Sequence, residues 1–446
     1  MASVHVERLD HLGLIACMIK DFGLISLLDA RLVPADQEEI TPGEAVAGMI
    51  LNGLGFANRP LSLTPQFFTN KPLDLLFRPG VRAEMFNRFK LGRPLDEVHA
   101  YGCDLLLSEL ALAGCAQERI EQRFHHLDTT SFSLSGNYVS ESDKQAIAIT
   151  HGYSKDHRPD LKQVVLELLV SQDGGVPLVS KSWDGNTSDT PIFKERAEAL
   201  MAAFARSPTP RYLVADAKLY TEDTAATLAQ LGFITRMPGT LKLVSQVITQ
   251  ALQGDRWHRL DEMTRYYGLE LCHYGMAQRW LVVSSQAAME RAEARITKAQ
   301  QREWEAIEKQ LLHLHAKRFE TPEAAQAALQ ALATSWRSHQ LAASQVLAHK
   351  HYAGKGRPTP TSPLKAIEWQ IHAQVRPAQE VIETHKQQSA CFVIGTNIPA
   401  CHMSEAEVIR AYKAQSGVEG GFRFLKDPLF LSRLCSSKNP VGFKGY

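Results

Sequence analysis

A chain of 446 residues with 44% apolar and 22% charged side chains can bury a sizeable core, which excludes a disordered or low-complexity protein and predicts two or three domains. A formal net charge of +1 excludes a globally basic nucleic-acid binder, so any such role must rest on local patches. Seven Cys without a Cys-x-x-Cys pair read as reduced thiols rather than a disulfide framework or zinc finger, and Cys272-His273 and Cys401-His402 read as incidental. No apolar run approaches the ~20 residues of a membrane span and no signal-peptide order opens the chain, so a soluble cytoplasmic protein is expected.

Residues 1–120 read as helical throughout. Thr41-Pro42-Gly43-Glu44 is a capping-box pattern with Pro at the first helical position, opening a helix over 45–54. The Leu105-to-Leu112 run predicts another helix that ends before Gly114. Arg59, Arg78, Arg82, Arg88, Lys90 and Arg93 read equally well as DNA contacts or as scattered surface cations.

From 122 to 240 the pattern becomes α/β. Strands are predicted over 124–134, 163–170, 176–183, 211–217 and 233–237, with helices over 190–204 and 221–231. Three hairpin-connected strands, a helix, then a strand returning to the sheet is the element order of an RNase H-like mixed sheet with flanking helices. Asp128 falls on the first of these strands and Asp216 near the end of the fourth, which are adjacent central strands in that architecture.

The stretch 241–403 is too long for a loop and is expected to be an inserted α+β subdomain. Strands are predicted at 271–272, 280–283, 366–371 and 391–394. A Gln- and Ala-rich helical run is predicted over 290–347, broken at Thr321-Pro322, and a basic Gly-Lys-Gly-Arg-Pro turn at 354–358. Ser404-Glu405-Ala406-Glu407 is a second capping box, expected to start the helix that carries Glu419 in a final segment, 404–446. Gly417 and Gly420-Gly421 imply a local weakness in that helix.

Tyr412, Glu419 and Lys426 recur every seven residues, about two helical turns, and so share one stripe of a helix. Residues 411–446 also carry six Lys or Arg against Glu419 and Asp427, and basic density beside a carboxylate is what a site handling phosphodiesters needs. Asp128, Asp216 and Glu419, brought together from two strands and a helix, can hold two Mg²⁺, or Mn²⁺ in its place. His151, Lys155, His157, Arg158 and Lys162 form a basic loop suited to DNA-backbone contact, and Arg423 adds a cation beside Glu419. His126 shares the strand face of Asp128 and reads as a packed or solvent-facing imidazole rather than a site residue.

In these residues the chain resembles DDE insertion-sequence transposases with a Tyr-x₂-Arg-x₃-Glu-x₆-Lys signature. Tyr412, Glu419 and Lys426 match the spacing, and Gln415 stands at the Arg position. The segments 152–163 and 185–189 are also similar to blocks of that family, as is the helical region before the core. The resemblance implies a transposase that cuts its element's ends by metal-activated water and joins the freed 3′-hydroxyl to target DNA. It implies Asp128, Asp216 and Glu419 as ligands of two Mg²⁺ ions. Tyr412, Lys426 and the Gln415 position become contacts to double-stranded DNA, both terminal inverted repeats and target. It further implies an end-binding N-terminal region, a dimer on DNA, and a bacterial, nucleoid-associated location. No nucleotide cofactor is expected, and the chain has no Gly-x₄-Gly-Lys-Ser/Thr loop. Where family members continue with an apolar helix, 435–442 is polar and turn-rich, so a truncated core with impaired activity is expected. The competing readings are another RNase H-like nuclease and a non-catalytic remnant that binds the element ends.

Overall fold

The computed structural model describes residues 6–32, 34, 38–55, 60–136, 138, 147–353 and 363–426. Arg59, the 354–358 turn and the 435–442 stretch lie outside the described residues. The chain divides into two compact units, one of residues 1–236, 270–279 and 395–446, the other of 237–269 and 280–394.

The first unit opens with helices α1 (Leu12–Asp21), α2 (Leu24–Arg31), α3 (Pro42–Leu54), α4 (Thr64–Phe68), α5 (Leu73–Leu76), α6 (Arg88–Tyr101) and α7 (Cys103–Gln117). α3 starts as expected. The Thr41 hydroxyl accepts from Glu44 N at 3.1 Å, and the Glu44 carboxylate accepts from Thr41 N at 2.9 Å. Leu12, Leu51, Phe68 and Phe86 lie in the core of this bundle. Gly48 admits the Phe86 ring, which a Cβ there would meet at 2.5 Å. α7 corrects one expectation by running through Gly114 to Gln117. An internal Gly costs a helix only about 1 kcal/mol, and burial of Leu106, Ala111 and Cys115 along this one outweighs it.

The sheet of this unit contains β1 (Phe124–Leu134), β2 (Lys162–Ser171), β3 (Pro177–Trp183), β4 (Tyr212–Ala215) and β5 (Gly232–Arg236), in the order β3-β2-β1-β4-β5. β2 is antiparallel to β1 and β3, whereas β4 is parallel to β1 and β5. α8 (Asp189–Ala205) makes the crossover, and α9 (Ala225–Leu228) follows β4. This is the mixed sheet of an RNase H-like core. Leu213, Val214 and Ala215 are fully buried, as a central parallel strand covered on both faces requires. Two lengths are corrected. β4 stops at Ala215, because Asp216 caps a 3-10 turn over 217–219. The helix expected over 221–231 shrinks to α9, because the Thr224 hydroxyl is spent on backbone carbonyls of Leu219 and Thr221 in a tight turn.

The second unit contains α10 (Lys242–Gln253), β6 (His258–Arg259), β7 (Thr264–His273), β8 (Met276–Ser285), α11 (Gln286–Ala316), α12 (Pro322–Ala333), β9 (His339–Tyr352), β10 (Leu364–Pro377), α13 (Gln379–Ser389) and β11 (Cys391–Thr396); residues 270–279 of the β7–β8 hairpin and the last two residues of β11 belong to the first unit. The helix break at Thr321-Pro322 is where it was expected. The helix expected to reach Leu347 does not: residues 339–347 form half of a two-stranded ribbon, with Val346 opposite Ile371. Ala, Gln and Leu favour a helix there, but pairing with β10 and burial of Ile371, Leu341 and Val346 in one cluster override that local preference.

The chain ends its described part in the first unit with α14 (Glu405–Lys413) and α15 (Ser416–Leu425). The Ser404 capping box is present. A single helix from Ser404 to Glu419 is corrected to two. Gln415 N, Gly417 N and Val418 N bond the carbonyls three residues back, so the backbone tightens and turns at the junction. The turn lets Val418, Phe422 and Leu425 lie on Leu166, Leu168 and Val170 of β2.

Candidate active site

Register places the two aspartates. Leu127 of β1 pairs with Ala215 of parallel β4, so Asp128 and Asp216 leave neighbouring strands at the same level. Asp128 Oδ1 accepts from Thr129 N at 2.7 Å and Asp216 Oδ1 from Lys218 N at 2.9 Å. The buried Thr235 hydroxyl donates to the Asp216 carbonyl at 2.7 Å and fixes that corner. Burial pushes the Asp128 carboxyl up to about 6; the Thr129 N–H and Lys155 ammonium oppose it, while Asp216 and Asp189 add to it. Burial likewise raises Asp216, against the Lys218 N–H and ammonium.

The third carboxylate arrives on α15. Residues facing each other across antiparallel strands share a side of the sheet. Asp128 is opposite Leu168, and His126 opposite Val170, so Asp128 lies on the face that α15 covers. Glu419 sits one residue beyond buried Val418 and is exposed. Tyr412 of α14 reports on all three acids. Burial raises its pKa, Arg236 opposes the rise, and Asp216, Asp128 and Glu419 each add to it.

A fourth carboxylate, Asp189 at the start of α8, is only 6% exposed. Its Oδ1 accepts from Thr129 Oγ1 at 2.5 Å, its Oδ2 is bonded to the Lys218 ammonium, and Lys155 Nζ stands 3.3 Å away. Lys155 also donates to Thr129 O and Oγ1, both at 2.7 Å. Although burial works against it, the bonds from Lys218 and Thr129 hold Asp189 below the usual carboxylate range. Sequence reasoning missed Asp189, Lys218 and Arg236 as site residues. The signals were there: Asp189 ends the 185–189 segment, and Lys218 stands two residues beyond Asp216.

The loop from 151 to 161 reaches the site because Gln163, 1% exposed, donates to Gly185 O at 2.7 Å and Tyr153 O at 3.2 Å. The 152–163 and 185–189 segments therefore meet. Several expected DNA contacts are already engaged within the protein. Lys426 pairs with Asp156 at 2.7 Å, Arg158 grips Asp160 in two bonds of 2.9 and 2.7 Å, and Lys162 donates to Tyr138 O. Gln415 is half-buried at the α14–α15 junction, and Arg423 is exposed and in no ion pair among the described residues. His126 is packed, with Nε2 3.3 Å from Gln172 Oε1.

Two hard-oxygen donors on neighbouring strands, both desolvated and with Asp216 raising Asp128, suit a divalent cation whose charge would offset that cost. Among the described residues no three His, Cys, Asp or Glu side chains gather closely enough to hold one metal ion in this arrangement. The pair Asp128 and Asp216 fits such an ion, and Glu419 does not join them in this arrangement.

Such a carboxylate site on an RNase H-like sheet defines the class of DDE phosphoryl-transfer enzymes. Residues 124–445, well over half the chain, match the family described as Transposase DDE domain, and the chain belongs to it. It is a DNA transposase, of a class that uses divalent metal ions. Residues 4–112 match a domain of unknown function, DUF4277. Among solved structures, the chain is similar to a piggyBac transposase seen in a synaptic complex with hairpin DNA. That likeness has a TM-score of 0.36 and 8% identity, over 99% of this chain and 73% of the other. No curated protein sequence matches. No helix among the described residues is long and apolar enough to cross a membrane.

Proposed function

We propose that this transposase cuts the terminal repeats of its own element and joins the freed 3′-hydroxyl ends to a target duplex, with Asp128, Asp216 and Glu419 binding two Mg²⁺ ions or Mn²⁺ in their place. Bound there, the ions would stabilise the attacking and leaving oxygens of the phosphodiester displacement. Asp128 and Asp216 are each held by a backbone N–H, and Glu419 rides on a short helix whose apolar stripe packs on β2. The observation that carries the proposal is the parallel register of Leu127 and Ala215, which brings Asp128 and Asp216 to one level of the sheet, with the Glu419 helix packed on the face that carries Asp128.

Tyr412, Lys426, Gln415, Lys155, Arg158, Lys162 and Arg423 are the proposed DNA contacts. Of these Arg423 is the most available, whereas Lys426 and Arg158 must exchange Asp156 and Asp160 for phosphate. The core is assigned to 121–240 and 404–446, the insert to 241–403, and end binding to the helical residues 1–120, acting as a dimer on DNA. A labelled terminal-repeat oligonucleotide incubated with target plasmid and Mg²⁺ tests this. Label transferred into the plasmid supports it; cleavage without joining makes the protein a nuclease, and binding without cleavage makes it a repressor of its element.

A further inference from the structure

We propose that Asp189 is a positioning residue which seats Lys155 beside the Asp128–Asp216 pair as a resident counter-cation, so that the acidic site stays assembled before metal arrives and the metal must outcompete that ammonium. The inference rests on the metal-binding role proposed for Asp128 and Asp216.

Three observations carry it. Asp189 is buried at the helix start yet caps nothing there with its side chain; both its oxygens are spent on Thr129 and Lys218 instead. Thr129 follows Asp128 directly, and Lys155 is bonded to both its carbonyl and its hydroxyl and stands 3.3 Å from Asp189, which holds the ammonium next to the residue that follows Asp128. Lys155 acts electrostatically on Asp128, Asp216 and Asp189 alike. A fixed positive charge among carboxylates offsets their mutual repulsion.

The two partners then have opposite effects on metal binding. Lys155→Met removes the competitor and leaves Asp189 neutralised by Lys218. Asp189→Asn removes a negative charge and frees two ammonium groups. Calcium or manganese binding to the full chain is measured by titration calorimetry, without DNA, on proteins whose circular dichroism confirms the fold. The expected result is a Kd about fivefold or more lower for Lys155→Met and higher by a similar factor for Asp189→Asn. Wild-type binding with both variants weaker, or both unchanged, overturns this inference alone, because a merely structural network weakens binding whichever member is lost. A wild-type titration that shows no binding overturns the metal-site proposal and this inference with it.

Discussion

Gly152 and Gly185 approach so closely that a Cβ on Gly152 would stand 2.0 Å from the Gly185 carbonyl oxygen. That is a backbone contact, which cannot yield as a flexible side chain would. Through it the 151–161 loop is pinned to the end of the segment leading into α8, which is how Lys155 reaches Thr129 and Asp189.

Gly152→Ala is therefore expected to destabilise the protein by about 3 kcal/mol or more. Gly420→Ala and Gly421→Ala meet nothing within 4 Å in α15 and are expected to stabilise by about 0.5–1 kcal/mol each. Thermal and urea unfolding of the three variants check both signs.

Much of this arrangement was legible in the sequence. β1 runs from Phe124 to Leu134 as expected, and both capping boxes formed where Thr41 and Ser404 announced them. The failures share a cause. Residues 339–347 have helical composition, and only the distant β10 makes them a strand. Nothing local foretold that Lys426 would find Asp156, 270 residues away, because such pairing depends on the folded neighbourhood. Asp189 looked like an ordinary residue at the start of a helix. Its part in the site depends on Thr129 and Lys218, 60 and 29 residues away in the chain.

Glu167, 1% exposed, receives Trp183 Nε1 at 2.9 Å and the Arg196 guanidinium. Arg196→Met leaves that carboxylate buried without its cation. The expected cost is about 3–5 kcal/mol, read as a lower urea midpoint. Arg196→Met with Glu167→Gln should recover part of the loss.

Acid stability of the second unit should depend on Glu303. Burial raises its carboxyl, but bonds from Ser338, the Arg337 N–H and His339 more than reverse that and take it down to about 2. A carboxyl lowered on folding contributes stability that is full above its unfolded value, near 4.3, and lost as pH falls through the folded one. The wild type should therefore weaken between about pH 4 and 2. Glu303→Gln should be less stable at pH 7 and show a flatter decline over that window, as followed by circular dichroism.

Asp128→Asn and Asp216→Asn should each reduce end cleavage by at least about 10²-fold while sparing most terminal-repeat binding. Chelation with EDTA should do the same to the wild type. Gel-shift and cleavage assays on one labelled oligonucleotide separate the two effects.

The most direct test of three carboxylates sharing a metal replaces it with Fe²⁺. Oxidant and ascorbate then cut the polypeptide near the ion, and the fragments are mapped by mass spectrometry on the DNA-bound protein. Cuts beside positions 128, 216 and 419, all lost in Asp128→Ala, are the expected result. Cuts beside 128 and 216 with none near 419 would leave Glu419 outside the site and contradict the account.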